Sequence, residues 1–459
     1  MQQLEGYRRL STPLLFCLTK GNLKDRIREI MACSRIIVGS RKKGERLKTI
    51  CVIGALDTKG PEYGFVREQI LARGHKVLTV NTGIMGSTDL FPVDIEADQV
   101  AEAGGGSLQR LREKKDRGEA MKVMCAGARA LVKSLNDDRR IDGIIGMGGT
   151  GGTTVVTSAM RALPVGMPKV CVSTAASGDV AGYVGTKDIT MIPSIVDVAG
   201  INRISRIVFA RAAGAICGMV DAEIPESKED KPIITASMFG NTTECVRACM
   251  EKLGAKGYEI LVFHATGMGG KTMEGLVKEG LVNAVLDITT TEWADTVCGG
   301  VFDAGPERLD AAGQMGIPHL IVPGCVDMAN FGGMETVPEK YKNAKRTFYE
   351  WNPSVTLMRT NKEENEKMGK VFAEKANAAK GPVAFLIPLR GVSILDGDNQ
   401  PFCDREADKA MFDAIKANVK KGVPVVEMDN NINDPEFSAK AVEMMLYLIE
   451  QTDQKQKRK

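Results

Sequence analysis

The sequence predicts an α/β protein built from two similar doubly wound, Rossmann-like parallel-sheet subdomains. Three observations lead there. Short continuous apolar runs alternate with amphipathic segments from Thr49 onward, the pattern restarts near Pro232, and the loops of the two halves align with one another. Short apolar runs bounded by turn residues are what strands buried on both faces look like. Such strands alternating with helices build parallel sheets.

In chain order, "TICVIGAL" reads as the first strand, and "PEYGFVREQILARG" as a helix with Pro61 near its start and Gly74 at its end. "KVLTV", "IDGIIGM" and "PKVCVST" continue the first sheet. The second half repeats the pattern with "PIITASMF", the helix "TTECVRACMEKLGAKG", then "YEILVFHA", "NAVLDIT" and "PHLIVPG". "VAFLIPL" and "PVVEMD" add strands, and "FSAKAVEMMLYLIEQ" forms a last helix. "VNTGIMGST" aligns without a gap on "HATGMGGKT", so that Thr82, Gly83, Gly86 and Thr88 face Thr266, Gly267, Gly270 and Thr272. "GMPKVCVST" aligns likewise on "GIPHLIVPG". The subdomains are expected at 48–222 and 231–450, joined by the charged linker "DAEIPESKEDK". Residues 1–47 read as a poorly ordered extension or an over-early start, with an organelle-targeting segment as the alternative. No cleavage site follows "TPLLFCL", as a signal peptide needs. Residues 451–459 read as a frayed basic tail.

Composition narrows the function classes. A net charge of +3 leaves no footprint for nucleic acid, and no apolar run approaches the length of a membrane-spanning helix. The eleven cysteines are scattered without CxxC spacing, which fits a reduced, cytoplasmic protein. Cys245 and Cys249 read as one helix face. His75, His264 and His319 are too dispersed for a histidine metal site.

Two glycine loops carry the chemistry. "IIGMGGTGGTTVV" follows a strand and opens a helix, offering Gly146, Gly148, Gly149, Gly151 and Gly152 with the hydroxyls of Thr150, Thr153 and Thr154. Unobstructed backbone N–H groups at a helix N-terminus favour a phosphate. The spacing is not the dinucleotide fingerprint, which disfavours an NAD oxidoreductase. At the carboxyl edge of the same sheet, Asp57, Thr58 and Lys59 should join it, together with Ser173, Thr174, Ser177 and Asp179. Asp57 and Asp179 are the Mg²⁺ candidates; Lys187 and Asp188 are more ambiguous. In the second half, "ATGMGGKT" satisfies the loose phosphate-loop pattern, with Lys271 on phosphates, Thr272 on Mg²⁺ and Asp287 as acidic partner. Its counterpart has Ser87 in place of Lys271, so the glycines are the repeated feature and the lysine is not.

Several long motifs, "VIGALDTKG", "GIIGMGGTGGT", "VSTAASGDVAGYVGTKDITMIPSIVDVAGINRISR", "VFHATGMGGKTME", "LDITTTEWAD", "NPSVTLMRT" and "LRGVSILD", resemble the Tm-one-like ATP-binding family. That family takes its name from a tomato protein that blocks replication of tomato mosaic virus. The resemblance spans Lys48 to Leu448. It implies two Rossmann-like subdomains, ATP and Mg²⁺ as cofactors, and a homodimer. The ATP site it implies falls on Asp57 to Gly60, Gly146 to Thr153 and Ser173 to Asp179. The family commonly has Arg where Lys271 stands and His where Trp351 stands. Its plant and fungal members carry a further C-terminal barrel, to which nothing in this sequence corresponds.

These observations leave two main functions open. One is an ATP- and Mg²⁺-dependent enzyme acting on a small anionic metabolite between the lobes. Glu292 and Arg390 are its catalytic candidates, and Thr266, Gly267, Gly270, Lys271 and Thr272 its second-lobe ligand residues. The other is a non-catalytic, nucleotide-gated binding or regulatory protein. A P-loop NTPase using Lys271 is the further alternative. Neither nucleic acid nor membrane is an expected partner.

Overall fold

A computed structural model describes residues 46–225 and 230–457. Apart from its last two residues, the expected arm 1–47 lies outside the described residues. The first lobe is a parallel sheet of β1 (Thr49–Gly54), β2 (Lys76–Asn81), β3 (Gly143–Gly148), β4 (Lys169–Ser173) and β5 (Thr190–Pro193), in the order β2-β1-β3-β4-β5. The second lobe begins with β6 (Ile233–Met238), β7 (Glu259–His264), β8 (Ala284–Thr289) and β9 (His319–Gly324). A small antiparallel sheet follows, from β10 (Met328–Phe331), β11 (Phe348–Asn352) and β12 (Val355–Arg359). β13 (Val383–Pro388) and β14 (Val425–Met428) complete the main sheet, in the order β14-β13-β9-β8-β6-β7. Read from β7 to β13, that order is the one in the first lobe, with β14 added at an edge. The loops that align in sequence therefore follow equivalent strands.

Period-two alternation splits each strand between two cores. Cys51 and Ile53 pack with Leu78, Val80 and Ile144 beneath the helices Arg117–Asp137 and Thr150–Met160. Ile50 and Val52 pack with Ile145, Val170 and Phe209 against the helices Gly60–Ala72 and Arg203–Asp221. Cys245 and Cys249 are buried in a second-lobe core, where they act as packing residues, and the hydrogen bond with Cys249, together with burial, pushes the Cys245 thiol well up.

Three features depart from the sequence reading. The loop after β2 opens no helix directly, whereas its counterpart after β7 runs straight into the helix Met268–Lys278. The buried Asn81 side chain accounts for this. It accepts from Gly83 N at 2.9 Å and donates to Gly86 O at 2.9 Å, which fixes the segment as a loop. β5 and the β10–β12 sheet carry no strong periodic signal in the sequence. The last helix runs Pro435–Lys457, well past Gln451. Among the described residues no helix is long and apolar enough to cross a membrane.

Candidate functional site

At the carboxyl edge of the first sheet lies a cleft of about 520 Å³. Three loops that are separate in sequence meet there. The loop after β1 contributes Asp57 and Thr58, the loop after β2 Thr82 to Met85, and the glycine loop Gly151 and Gly152. Met121, Met124, Leu111 and Val155 line an apolar side, while Arg112, Lys115 and Arg117 bring positive charge.

Buried polar residues hold the loops in place. Tyr63 Oη accepts from Met147 N at 2.7 Å and also reaches Ile53 O, pinning β1 to β3 where their ladder ends. Asn81 Oδ1 accepts from both Leu56 N and Gly83 N, tying the first two loops together. Asp57 Oδ2 accepts from Met85 N at 2.9 Å, while its Oδ1 is buried and without a partner. A Cβ at Gly83 would stand 2.0 Å from that Oδ1, so only glycine leaves room for the carboxylate.

Four of the five glycines of the loop divide into two groups. A Cβ at Gly146 would meet Ile53 O at 2.6 Å, and one at Gly148 would meet Gly152 Cα at 2.9 Å. These two serve close packing of helix on strand. At Gly149 and Gly151 the nearest atoms are side-chain ends, Thr174 Oγ1 at 3.7 Å and Arg117 Nη2 at 3.5 Å, so a Cβ would meet no backbone there. Gly149 caps the helix Thr150–Met160 with no side-chain bond. Thr150 is exposed beside it. Thr153 is buried, its hydroxyl 2.6 Å from Ser173 Oγ, so both hydroxyls are spent inside the fold. Thr154 bonds back to Thr150 O.

Other first-lobe candidates sit elsewhere. Lys59 donates to Val198 O, which turns it towards the loop after β5 instead of the cleft. Thr174, Ser177 and Asp179 are exposed on the loop after β4, and Asp179 accepts from Ala181 N. None of them lines the cleft. Lys187 pairs with Glu279 of the second lobe, and Asp188 with buried Lys169 at 2.6 Å. Among the described residues no group of three or more His, Cys, Asp or Glu could hold a metal. The free oxygen of Asp57 does suit Mg²⁺ arriving on phosphates, because that ion takes few protein ligands and keeps its waters.

The second-lobe loop does not form a phosphate cradle. Gly267 N and Gly270 N both donate to Glu292 Oε1, at 2.8 and 3.0 Å, so an internal carboxylate fills the anion position. Glu292 is fully buried and bonded to Arg308 Nε at 2.7 Å, which makes it a structural group and removes it as a catalytic candidate. Asp287 is locked by Arg308 and by His319, 2.9 Å away; against the upward push of burial, the Arg308 charge and these hydrogen bonds hold its carboxyl well below the usual range. Lys271 is exposed, and Thr266 and Thr272 spend their hydroxyls on His264 O and Met268 O. Arg390 is paired with Asp398 on the surface. The β10–β12 segment closes over this edge: Thr291 Oγ1 donates to Met328 O, and Thr360 Oγ1 to Val326 O. Trp351 is half-exposed on β11, beside Gly240. Lys271→Ala is therefore expected to weaken ATP binding by less than about tenfold, as read by calorimetric titration. Complete loss with the fold intact would reinstate the phosphate-loop reading.

Sequence reasoning did not find Asn81, Arg112, Lys115, Arg117 or the methionines of the cleft. Asn81 is the one of these with a local signal, an amide ending an otherwise apolar strand.

The comparisons with known proteins divide the chain where the two lobes divide. Residues 48–225 match the N-terminal domain, and residues 231–449 the C-terminal domain, of the "Uncharacterised protein family (UPF0261)". A UPF0261 protein of Clostridium tetani is 50% identical over 88% of this chain and 99% of its own length. One from Mesorhizobium japonicum is 45% identical over 87% and 99%. The ToMV resistance protein Tm-1(GCR237) of Solanum lycopersicum is 41% identical over 72% of this chain, but over only 44% of its own length. Among solved structures, a UDP-N-acetylglucosamine 2-epimerase overlaps with a TM-score of 0.23 at 9% identity, covering 88% of this chain and 96% of that one, a level that carries no argument. The chain belongs to the UPF0261 family, which includes the tomato Tm-1 proteins among its homologues.

Proposed function

We propose that the first lobe binds ATP with Mg²⁺. The observation that carries this reading is the convergence of three strand-end loops on one cleft. Open glycine amides stand at a helix N-terminus on one wall, and an apolar side suited to a base lies near them. Gly151 and Gly152 would take phosphate oxygens, and Asp57 a water of the hydrated ion. Titration calorimetry of Mg-ATP into the purified protein tests it. Saturable one-to-one binding is expected, and an absence of heat at millimolar ATP would refute the proposal.

What binding achieves is a separate question, and one observation favours the nucleotide-gated binding protein over the enzyme. Both catalytic candidates are committed to carboxylate–guanidinium pairs, Glu292 with Arg308 and Arg390 with Asp398. A phosphate-release assay run across carboxylates and sugar acids discriminates the two. Steady turnover stimulated by one of these compounds would restore an ATP-dependent enzyme acting on an anionic metabolite.

A further inference from the structure

We infer that Arg117 is the phosphate-binding cation of the cleft and that the methionine-lined side takes the purine. This rests on the proposal that the cleft holds ATP. Arg117 opens the helix Arg117–Asp137, an element distant in sequence from the glycine loop. Its guanidinium nonetheless stands at that loop: Nη2 lies 3.5 Å from where a Cβ of Gly151 would be. A forked cation and a run of unobstructed amides thus face the same small volume, as anion recognition requires.

The neighbouring charges single out Arg117. Arg112 spends its Nε on Ile84 O, and Lys114 pairs with Glu119. Asp116, the nearest acid in sequence, is turned onto its own helix, accepting from Gly118 N and Glu119 N. Among the described residues the Arg117 guanidinium has neither a hydrogen-bond nor an ion-pair partner. Lys115, with a left-handed backbone at φ 53°, adds charge at the rim without the forked geometry.

Met121, one turn after Arg117 on the same helix, lies 4.0 Å from the same Cβ position, and Met124, Leu111 and Met85 also line the cleft. Thioethers are polarizable and pack well against aromatic rings. The cleft therefore offers a cation beside the glycine amides together with a soft apolar lining. That pairing fits a nucleotide lying with its phosphates on Gly151 and Arg117 and its base against the methionines.

The test is calorimetry with Mg-ATP and with adenosine, on wild type, Arg117→Ala and Arg117→Lys. Arg117 is exposed, so both variants should melt with wild type. Arg117→Ala is expected to weaken ATP binding by about 30-fold, the range of a charge-assisted pair, and to leave adenosine binding within about twofold. Arg117→Lys should recover part of the loss, because it keeps the charge and loses the fork. If wild type binds ATP and Arg117→Ala binds it within threefold, the assignment of Arg117 is wrong and the ATP site stands. Equal loss of ATP and adenosine would also overturn it, since the arginine would then be shaping the cleft and not reading phosphate. If wild type binds neither ligand, the ATP reading itself fails.

Discussion

Gly151→Val is expected to abolish measurable ATP binding while leaving the melting temperature close to that of wild type. The residue lies in the first turn of a helix, where any L-residue is tolerated, and its Cβ position has no atom closer than 3.5 Å. Only the flexible ends of Arg117 and Met121 lie near that position. The valine methyls would instead project into the cleft between the open amides and Arg117, where a phosphate has to approach. A loss of at least about 100-fold, or roughly 2.7 kcal/mol, corresponds to removing two or so charge-assisted bonds. Gly148→Val is the informative control. Its Cβ would stand 2.9 Å from Gly152 Cα, so the helix must move off the strand and stability should fall. Calorimetry and a thermal melt on both variants separate the roles. Undiminished ATP binding by Gly151→Val would place the nucleotide elsewhere.

That contrast shows what the sequence could carry. A glycine signals only that a side chain is unwelcome, and the reason is settled by what lies opposite. For Gly146 and Gly148 it is backbone and for Gly151 it is a cleft, and both kinds sit within one loop. The strands were legible because parallel strands buried on both faces leave continuous apolar runs, as "TICVIG" and "AVLDIT" do. The duplication was legible because equivalent turns kept their glycines. By contrast, Arg117 and Met121 reach the site through the packing of the helix Arg117–Asp137 on Thr150–Met160, which leaves no local pattern. The Gly-Lys-Thr triplet could be weighed from its repeat but not settled, for a related reason. Whether its amides await a ligand depends on Glu292, which lies at the end of a different strand.

Arg308→Ala is expected to destabilise the second lobe severely at neutral pH. Arg308 is among the largest fully buried side chains, and it touches three carboxylates. It donates to Asp287, to Glu292 at 2.7 Å and to Glu274 at 3.3 Å. Glu274 in turn accepts from Leu309 N and Ala311 N, both at 2.7 Å, and so holds Leu309 at φ 75°, a region that branched residues seldom adopt. One guanidinium thus secures the Gly267–Gly270 turn through Glu292, the end of β8 through Asp287 and the strained turn at Leu309 through Glu274. Removing it leaves buried negative charge with no counter-ion, at a cost of about 3–5 kcal/mol for breaking such a group. For a lobe of this size that is roughly 10–15 °C in melting temperature. The pH dependence gives the effect a signature. In wild type Arg308 holds the Asp287 carboxyl far down, so its contribution is present above the ordinary carboxylate range and is lost only as pH falls through its depressed value. Burial already pushes Glu274 upward, with Arg308 opposing that shift. Without the guanidinium, burial is opposed only by His319 at Asp287 and by the Leu309 and Ala311 amides at Glu274, and protonation then relieves the variant as pH falls. The gap in melting temperature between wild type and Arg308→Ala should therefore narrow from pH 7.5 to about 5.5. A gap of only a few degrees, or one that widens in acid, would show that the lobe does not depend on this buried pairing.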